Sequence, residues 1–225
     1  MNDIIDTAGM ILAAYDYAEY DKRLKVLTAD VGKVTVFARG VRRQNSKFMG
    51  MTDMFSFGDF RLFAGKSAYN LSGVEISNYF EEIRHDIEKM CFASYFADLA
   101  DYSVHENMEG KDMLLLIYRS LQALDTNSID NRLVRAVYEL KTVMINGVYP
   151  GTPARSIMTG TANALGHIET SGIKDLFSFK VKDEVMDELC GIADEYRKRY
   201  IQGSFKSLDV MSELGYNTVQ ASVQG

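Results

Sequence analysis

The hydrophobic pattern of this 225-residue chain changes period near Tyr79, and that change limits its fold more than any other feature. Before it, apolar residues alternate with polar ones, the signature of half-buried strands; after it, they recur every three to four positions, as on helices. Five strands are predicted, over residues 9–15 (GMILAAY), 23–29 (RLKVLTA), 33–41 (KVTVFARGV), 54–63 (MFSFGDFRLF) and 68–76 (AYNLSGVEI). Gly32 and the stretch Ala64 to Ser67 supply two of the turns. So many short strands in one sheet leave edges that a small closed or partly open barrel removes.

Helical spacing follows at residues 82–104, 113–124, 129–146 and 182–201. Gly147 and Pro150 form a stop for the third of these. Residues 151–178 are rich in Gly, Thr and Ser and are expected to be irregular, ordered by Leu165, Ile168, Ile173, Leu176 and Phe177. The expectation is an α+β protein with a barrel domain at 1–80 and a helical domain at 81–225.

Charge is distributed unevenly. The chain carries a net charge of -6, but the first eighty residues hold +1 and the remainder -7. Between Lys22 and Lys47, the cations Lys22, Arg23, Lys25, Lys33, Arg39, Arg42, Arg43 and Lys47 stand against the single acid Asp30. Screening acts over about 8 Å at physiological salt, so an anion at that surface responds to the local cations and not to the distant acids. A polyanion such as nucleic acid is the expected ligand. Lys33, Arg39, Arg42, Arg43 and Lys47 are the candidate phosphate contacts, with Phe48 as the candidate base-stacking ring; Phe37 and Phe63 are weaker ones. Alternation sends Arg23 and Lys25 to one face and Lys22 to the other. Tyr15, Tyr17 and Tyr20 read as packing or edge residues.

Enzyme chemistry finds little support. The chain has no phosphate-binding glycine loop, no dinucleotide fingerprint and no nucleophile elbow. His85, His105 and His167 have no partner at metal-ligand spacing, so neither metal nor other cofactor is expected. Glu81-Glu82 and Asp183-Glu184 fall at predicted helix starts, where the macrodipole favours acids. Two cysteines nearly a hundred residues apart fit a reducing compartment. The opening segment MNDIIDTAGMILAAY carries acids where an export signal carries cations, so a cytoplasmic address is expected. No apolar run is long enough to span a membrane.

Several short motifs, in order, resemble the RecO family of bacterial recombination mediators. They are Tyr17, Glu19 and Asp21-Lys22, then Gly32-Lys33, Ala38-Arg39-Gly40-Val41-Arg42-Arg43, Ser46-Lys47-Phe48 and Phe55-Ser56, with Phe205-Lys206-Ser207-Leu208 near the other end. The resemblance implies an N-terminal OB-fold followed by a helical domain. It also implies binding of single- and double-stranded DNA, annealing of complementary strands, and partnership with RecR and with the tail of single-stranded DNA-binding protein. Many members carry four zinc cysteines just after the proline matched by Pro150. Here Arg155 and Met158 stand near the first pair's place and no pair follows, so the zinc lobe is expected to be absent. Arg132, Arg135 and Lys141 beside the apolar stripe of the third helix are candidates for binding that acidic tail. The reading from a different class is a helical protein-docking adaptor that does not anneal DNA and whose barrel binds RNA or protein.

Overall fold

The computed structural model describes residues 4–216. Two compact units are present, one of residues 4–80 with 100–114, the other of residues 81–99 with 115–216.

The first unit is built on five strands: β1 (Ile4–Tyr17), β2 (Asp21–Thr28), β3 (Gly32–Ala38), β4 (Phe57–Ala64) and β5 (Tyr69–Asn78). They close in the order β1-β2-β3-β5-β4, giving the expected OB-fold. Closure depends on β1, which is long enough to pair with two neighbours. Its first half runs antiparallel to β4 from Ile4 opposite Phe63, and its second half to β2 through Tyr17 opposite Asp21. A register shift between Ile11 and Ala13 bends the strand between the two pairings. The ring is completed by a short parallel contact of β3 with β5, Val36 opposite Tyr69.

Inside the barrel lie Ile11, Leu24, Val26, Val34, Val36, Phe60 and Leu62, all fully or almost fully buried. The strict alternation of β3 is realised: Val34, Val36 and Ala38 point in, while Lys33, Thr35 and Phe37 point out. Two strand ends differ from the sequence expectation because of backbone conformation. The third strand stops at Ala38, since Gly40 takes a φ of +63° and its N–H donates to the Asp21 carboxylate at 2.7 Å. The fourth begins at Phe57, because Phe55 takes a φ of +67° and anchors through its N–H to Ile11 O at 2.8 Å.

Residues 105–110 strap over the β2–β3 turn. Asn107 N–H donates to Val31 O at 3.1 Å and Gly110 N–H to Ala29 O at 2.9 Å. Glycine is required at both contact points: a Cβ on Gly32 would lie 2.2 Å from His105 O, and one on Gly110 2.3 Å from Thr28 O.

The helices are α1 (Glu81–Arg84), α2 (Ile87–Ser103), α3 (Lys111–Asp125), α4 (Asn131–Ile145), α5 (Thr159–Thr170), α6 (Asp183–Tyr200) and α7 (Lys206–Glu213). The helix predicted over residues 82–104 is therefore two. Asp86 breaks it by accepting the Lys89 N–H at 3.1 Å, a capping bond that competes with helix continuation, and Ile87 is left 70% exposed. Residues 151–178, expected to be irregular, contain α5 and a 3₁₀ turn at Ile173–Asp175. Small and polar residues hid that helix, although Thr161, Ala164, Leu165 and Ile168 bury one stripe of it. Leu176 is also buried, while Ile173 and Phe177 are partly so.

At the centre of the second unit is α4, with Val134, Ala136, Val137, Tyr138, Leu140 and Val143 fully buried. Tyr138 stacks on Phe96 with centroids 4.3 Å apart. Its end is closed as expected by Gly147, at a φ of +72°, with the Val148 N–H reaching back to Val143 O at 3.2 Å. The acid pairs Glu81-Glu82 and Asp183-Glu184 do occupy first turns, of α1 and α6. Cys91 and Cys190 are unpaired, and burial pushes the Cys190 thiol up to about 11, which makes it unreactive. None of the described helices is long and apolar enough to cross a membrane.

Candidate nucleic-acid interface

On the outer face of β1–β2–β3, cross-strand register brings Tyr15, Arg23 and Phe37 into one lateral row. Beyond the row lie Tyr17, at the end of β1, and the β1–β2 turn with Tyr20. The loop after β3 is held against this turn: Arg42 N–H donates to Tyr20 O at 3.0 Å. Arg39, Arg42, Arg43 and Lys47 are all exposed on that loop. The local cause is the reversal at Arg39-Gly40, which Asp21 caps.

Ion pairing divides the eight cations into two groups. Lys22 meets Asp53 at 2.9 Å, and Arg42 meets Asp16 at 3.2 Å. Lys25 and Lys33 both grip Asp101, at 2.7 and 3.0 Å, and Lys33 donates as well to the Asp101 carbonyl. Among the described residues, no carboxylate lies within ion-pair distance of Arg23, Arg39, Arg43 or Lys47. Three of these four sit over aromatic rings instead: Arg23 over Tyr15 at 5.3 Å, Arg43 over Tyr20 at 5.3 Å and Lys47 over Phe48 at 4.7 Å. A cation above a ring face is held in place without losing its charge, so it remains available to a phosphate.

The predicted phosphate contacts are thus not equivalent. Arg39, Arg43 and Lys47 are exposed and unpaired. Arg42 is exposed but shared with Asp16, and Lys33 is half-buried and already satisfied. Phe48 is half-buried against the barrel core, which leaves its ring less open than an unpacked loop position would. Tyr15, Tyr17 and Tyr20, read from the sequence as packing or edge residues, are 49, 50 and 40% exposed. Arg23 joins the free set because its cross-strand neighbours are Tyr15 and Phe37 rather than acids. The tyrosines' spacing at 15 and 17 was a signal that two successive same-face aromatics line an open strand end.

Substituting Asp101 by Asn tests this division. The ion pairs it removes are part-exposed, worth at most about 1 kcal/mol each, so folding is retained. The two ammonium groups then lose their counter-charge, although Lys33 keeps its bond to the residue 101 carbonyl, and the salt dependence of single-strand binding steepens by up to about 1.4 in log–log slope, with tighter binding at low salt. An unchanged slope excludes Lys25 and Lys33 from the path of the strand.

In the helical unit, Arg132 lies by the α4 N-cap, paired with Asp130 at 3.1 Å and Asp187 at 3.6 Å. Lys141 donates to Ile168 O and Ser171 O at 2.9 and 3.2 Å, closing the end of α5. Arg135 is buried beside Glu139, 3.4 Å away, and the Tyr95 O–H donates to the same carboxylate at 2.7 Å. Burial raises the Glu139 carboxyl above its ordinary range, against the opposing pull of Arg135, the Tyr95 hydroxyl and Arg197. The three predicted cations therefore do not share one site. Arg135 instead lines a cavity of about 590 Å³ with Arg197, Lys198, Phe205 and Leu208. Among the described residues, no cluster of three or more His, Cys, Asp or Glu is placed to hold a metal ion.

Comparison with known families agrees with this architecture. A model described as the recombination protein O N-terminal domain matches residues 1–80, and one described as its C-terminal domain matches residues 84–154. DNA repair protein RecO of Acetivibrio thermocellus is 24% identical over 243 aligned residues, covering 93% of this chain and 97% of that protein. The protein of the same name from Clostridium perfringens is 33% identical over 144 residues, covering 64% of this chain and 58% of the relative. For that from Symbiobacterium thermophilum the identity is 32% over 146 residues, 65% of this chain and 58% of the relative. In the latter two, the alignment spans less than two thirds of the relative's length.

Proposed function

The chain belongs to the recombination protein O family, and on that premise we propose that it is a recombination mediator acting in DNA repair. It binds single- and double-stranded DNA, anneals complementary strands, and helps load the recombinase onto strands coated by single-stranded DNA-binding protein. It acts without catalysis, in the cytoplasm on the nucleoid, with RecR as a partner. The observation that carries the DNA reading is the set Arg23, on β2 of an OB barrel, with Arg39, Arg43 and Lys47, on the loop after β3, all exposed and free of ion pairs among the described residues.

Annealing follows from electrostatics alone. Two strands repel through their phosphates, and a cationic surface that displaces their counterions lowers the barrier to approach. Guanidinium groups engage phosphate oxygens with paired hydrogen bonds, which leaves the base edges free to meet a complement. The acidic tail of single-stranded DNA-binding protein is assigned to the helical unit. There Phe205 and Leu208 supply apolar surface, and Lys198, exposed but shared with Asp194 at 2.6 Å, is the cation that an incoming carboxylate would have to win from that acid.

Binding of labelled single-stranded DNA, followed by anisotropy over a salt series, tests the reading. Four neutralised phosphates give a log–log slope of roughly -3. Absence of binding at low salt would instead favour a protein-docking adaptor, and preference for RNA over DNA in competition would move the function away from DNA repair.

A further inference from the structure

We propose that Tyr15, Tyr17 and Tyr20 form a platform on which unpaired bases stack, so that this surface discriminates single strands from duplex. The inference rests on the reading of the barrel as the DNA-binding surface and adds to it the groups that recognise the bases.

Three tyrosines 40–50% exposed within six residues make an aromatic patch that the barrel core does not use. Such patches on a soluble domain mark ligand surfaces more often than chance exposure does. Tyr15 and Tyr17 lie on the same face of β1, about 7 Å apart along the strand, twice the 3.4 Å stacking repeat of nucleic acid. A base has room beside each ring. Tyr17 is braced from one side by Phe37, with ring centroids 5.0 Å apart. Tyr15 and Tyr20 carry Arg23 and Arg43 over their rings. Two of the three rings therefore have a phosphate-binding group against them, and Tyr17 lies between the two, a combination of rings and cations that suits a strand of bases on a charged backbone. Charge complementarity selects the occupant: an apolar partner segment would have to bury Arg23 and Arg43 without an acid, whereas a single strand satisfies both. Duplex DNA shields its base faces in the stack and meets only the cations.

The chain contains no tryptophan, so a Tyr15→Trp variant places one reporter on the platform. Its emission is measured with oligo(dT) and with an abasic oligonucleotide of the same length and charge. Quenching by the thymine strand alone is expected. In parallel, a Tyr15→Thr/Tyr17→Thr/Tyr20→Thr variant is expected to bind oligo(dT) about tenfold or more weakly. Its affinity for duplex should stay within twofold and its salt slope should be unchanged, which a general loss of structure would not give. Equal binding of thymine and abasic strands without quenching overturns the platform while leaving the phosphate-binding surface intact. Failure of both strands to bind overturns the platform together with the DNA reading it rests on.

Discussion

Reversing Arg23, Arg39, Arg43 and Lys47 to glutamate should weaken single-strand binding about a thousandfold and slow annealing in proportion. A phosphate about 4 Å from a cation in water gains about 1 kcal/mol, so four contacts contribute about 4 kcal/mol, or a factor near a thousand. Reversal adds repulsion to that loss. All four side chains are exposed and free of ion pairs, and the contacts broken are three exposed cation–ring pairs, each worth about 0.5–1 kcal/mol, so the fold is retained with a small drop in the thermal midpoint. The measurement is anisotropy at 50 mM salt, with annealing of complementary labelled strands followed by energy transfer. The mechanism requires the two effects to move together. Annealing at the wild-type rate despite lost affinity would show that charge neutralisation is not how the strands are brought together. Affinity within threefold of wild type would move the DNA site off the barrel.

The second large effect concerns the helical unit. Replacing Arg135 by Leu leaves Glu139, fully buried, without its strongest neutralising neighbour. Breaking a buried pair by removing one partner costs about 3–5 kcal/mol, a large fraction of a domain's total stability. The Tyr95 hydroxyl and Arg197 offset part of it, so the lower end is expected from urea unfolding. Its pH dependence has a definite sign. Glu139 in the folded chain titrates above its unfolded range because burial disfavours the charge. Its contribution to stability is thus fully present below pH of about 4 and is lost as pH rises through the folded value. Removing Arg135 lifts that value further, so the deficit is larger at pH 8 than at pH 5. The Arg135→Leu/Glu139→Leu double variant, with neither charge buried, should recover most of the loss. An equal deficit at both pH values would place the cost in packing around the arginine stem, and the pair would then have no electrostatic role.

Much of this architecture was legible in the residues because its causes are local. Alternation over the first eighty positions reports which side chains face a core, and β3 follows it at every position. The helix stop at Gly147 and the acids at the starts of α1 and α6 are likewise properties of a few consecutive residues. Where a locally weak pattern was stabilised by distant packing, the sequence was silent. The helix α5 is one case, since its buried stripe of Thr161, Ala164, Leu165 and Ile168 has too little apolar contrast to stand out.

For the nucleic-acid surface the boundary lies elsewhere. The run of basic residues, and hence a cationic region on the barrel, follows from the sequence alone because charge type does not depend on fold. Which cations remain free was decided only in three dimensions. Asp101, 76 positions from Lys25 and 68 from Lys33, neutralises both, while Arg23 and Arg43 meet tyrosine rings and keep their charge. Ion pairing acts over a few ångströms, so it is governed by through-space neighbours, here the last turn of α2 that packs Asp101 against β2 and β3. The exposure of Tyr15, Tyr17 and Tyr20 has the same origin: an aromatic side chain is buried or open according to what packs against it, and here Arg23, Phe37 and Arg43 cover the rings only in part, leaving them 49, 50 and 40% exposed.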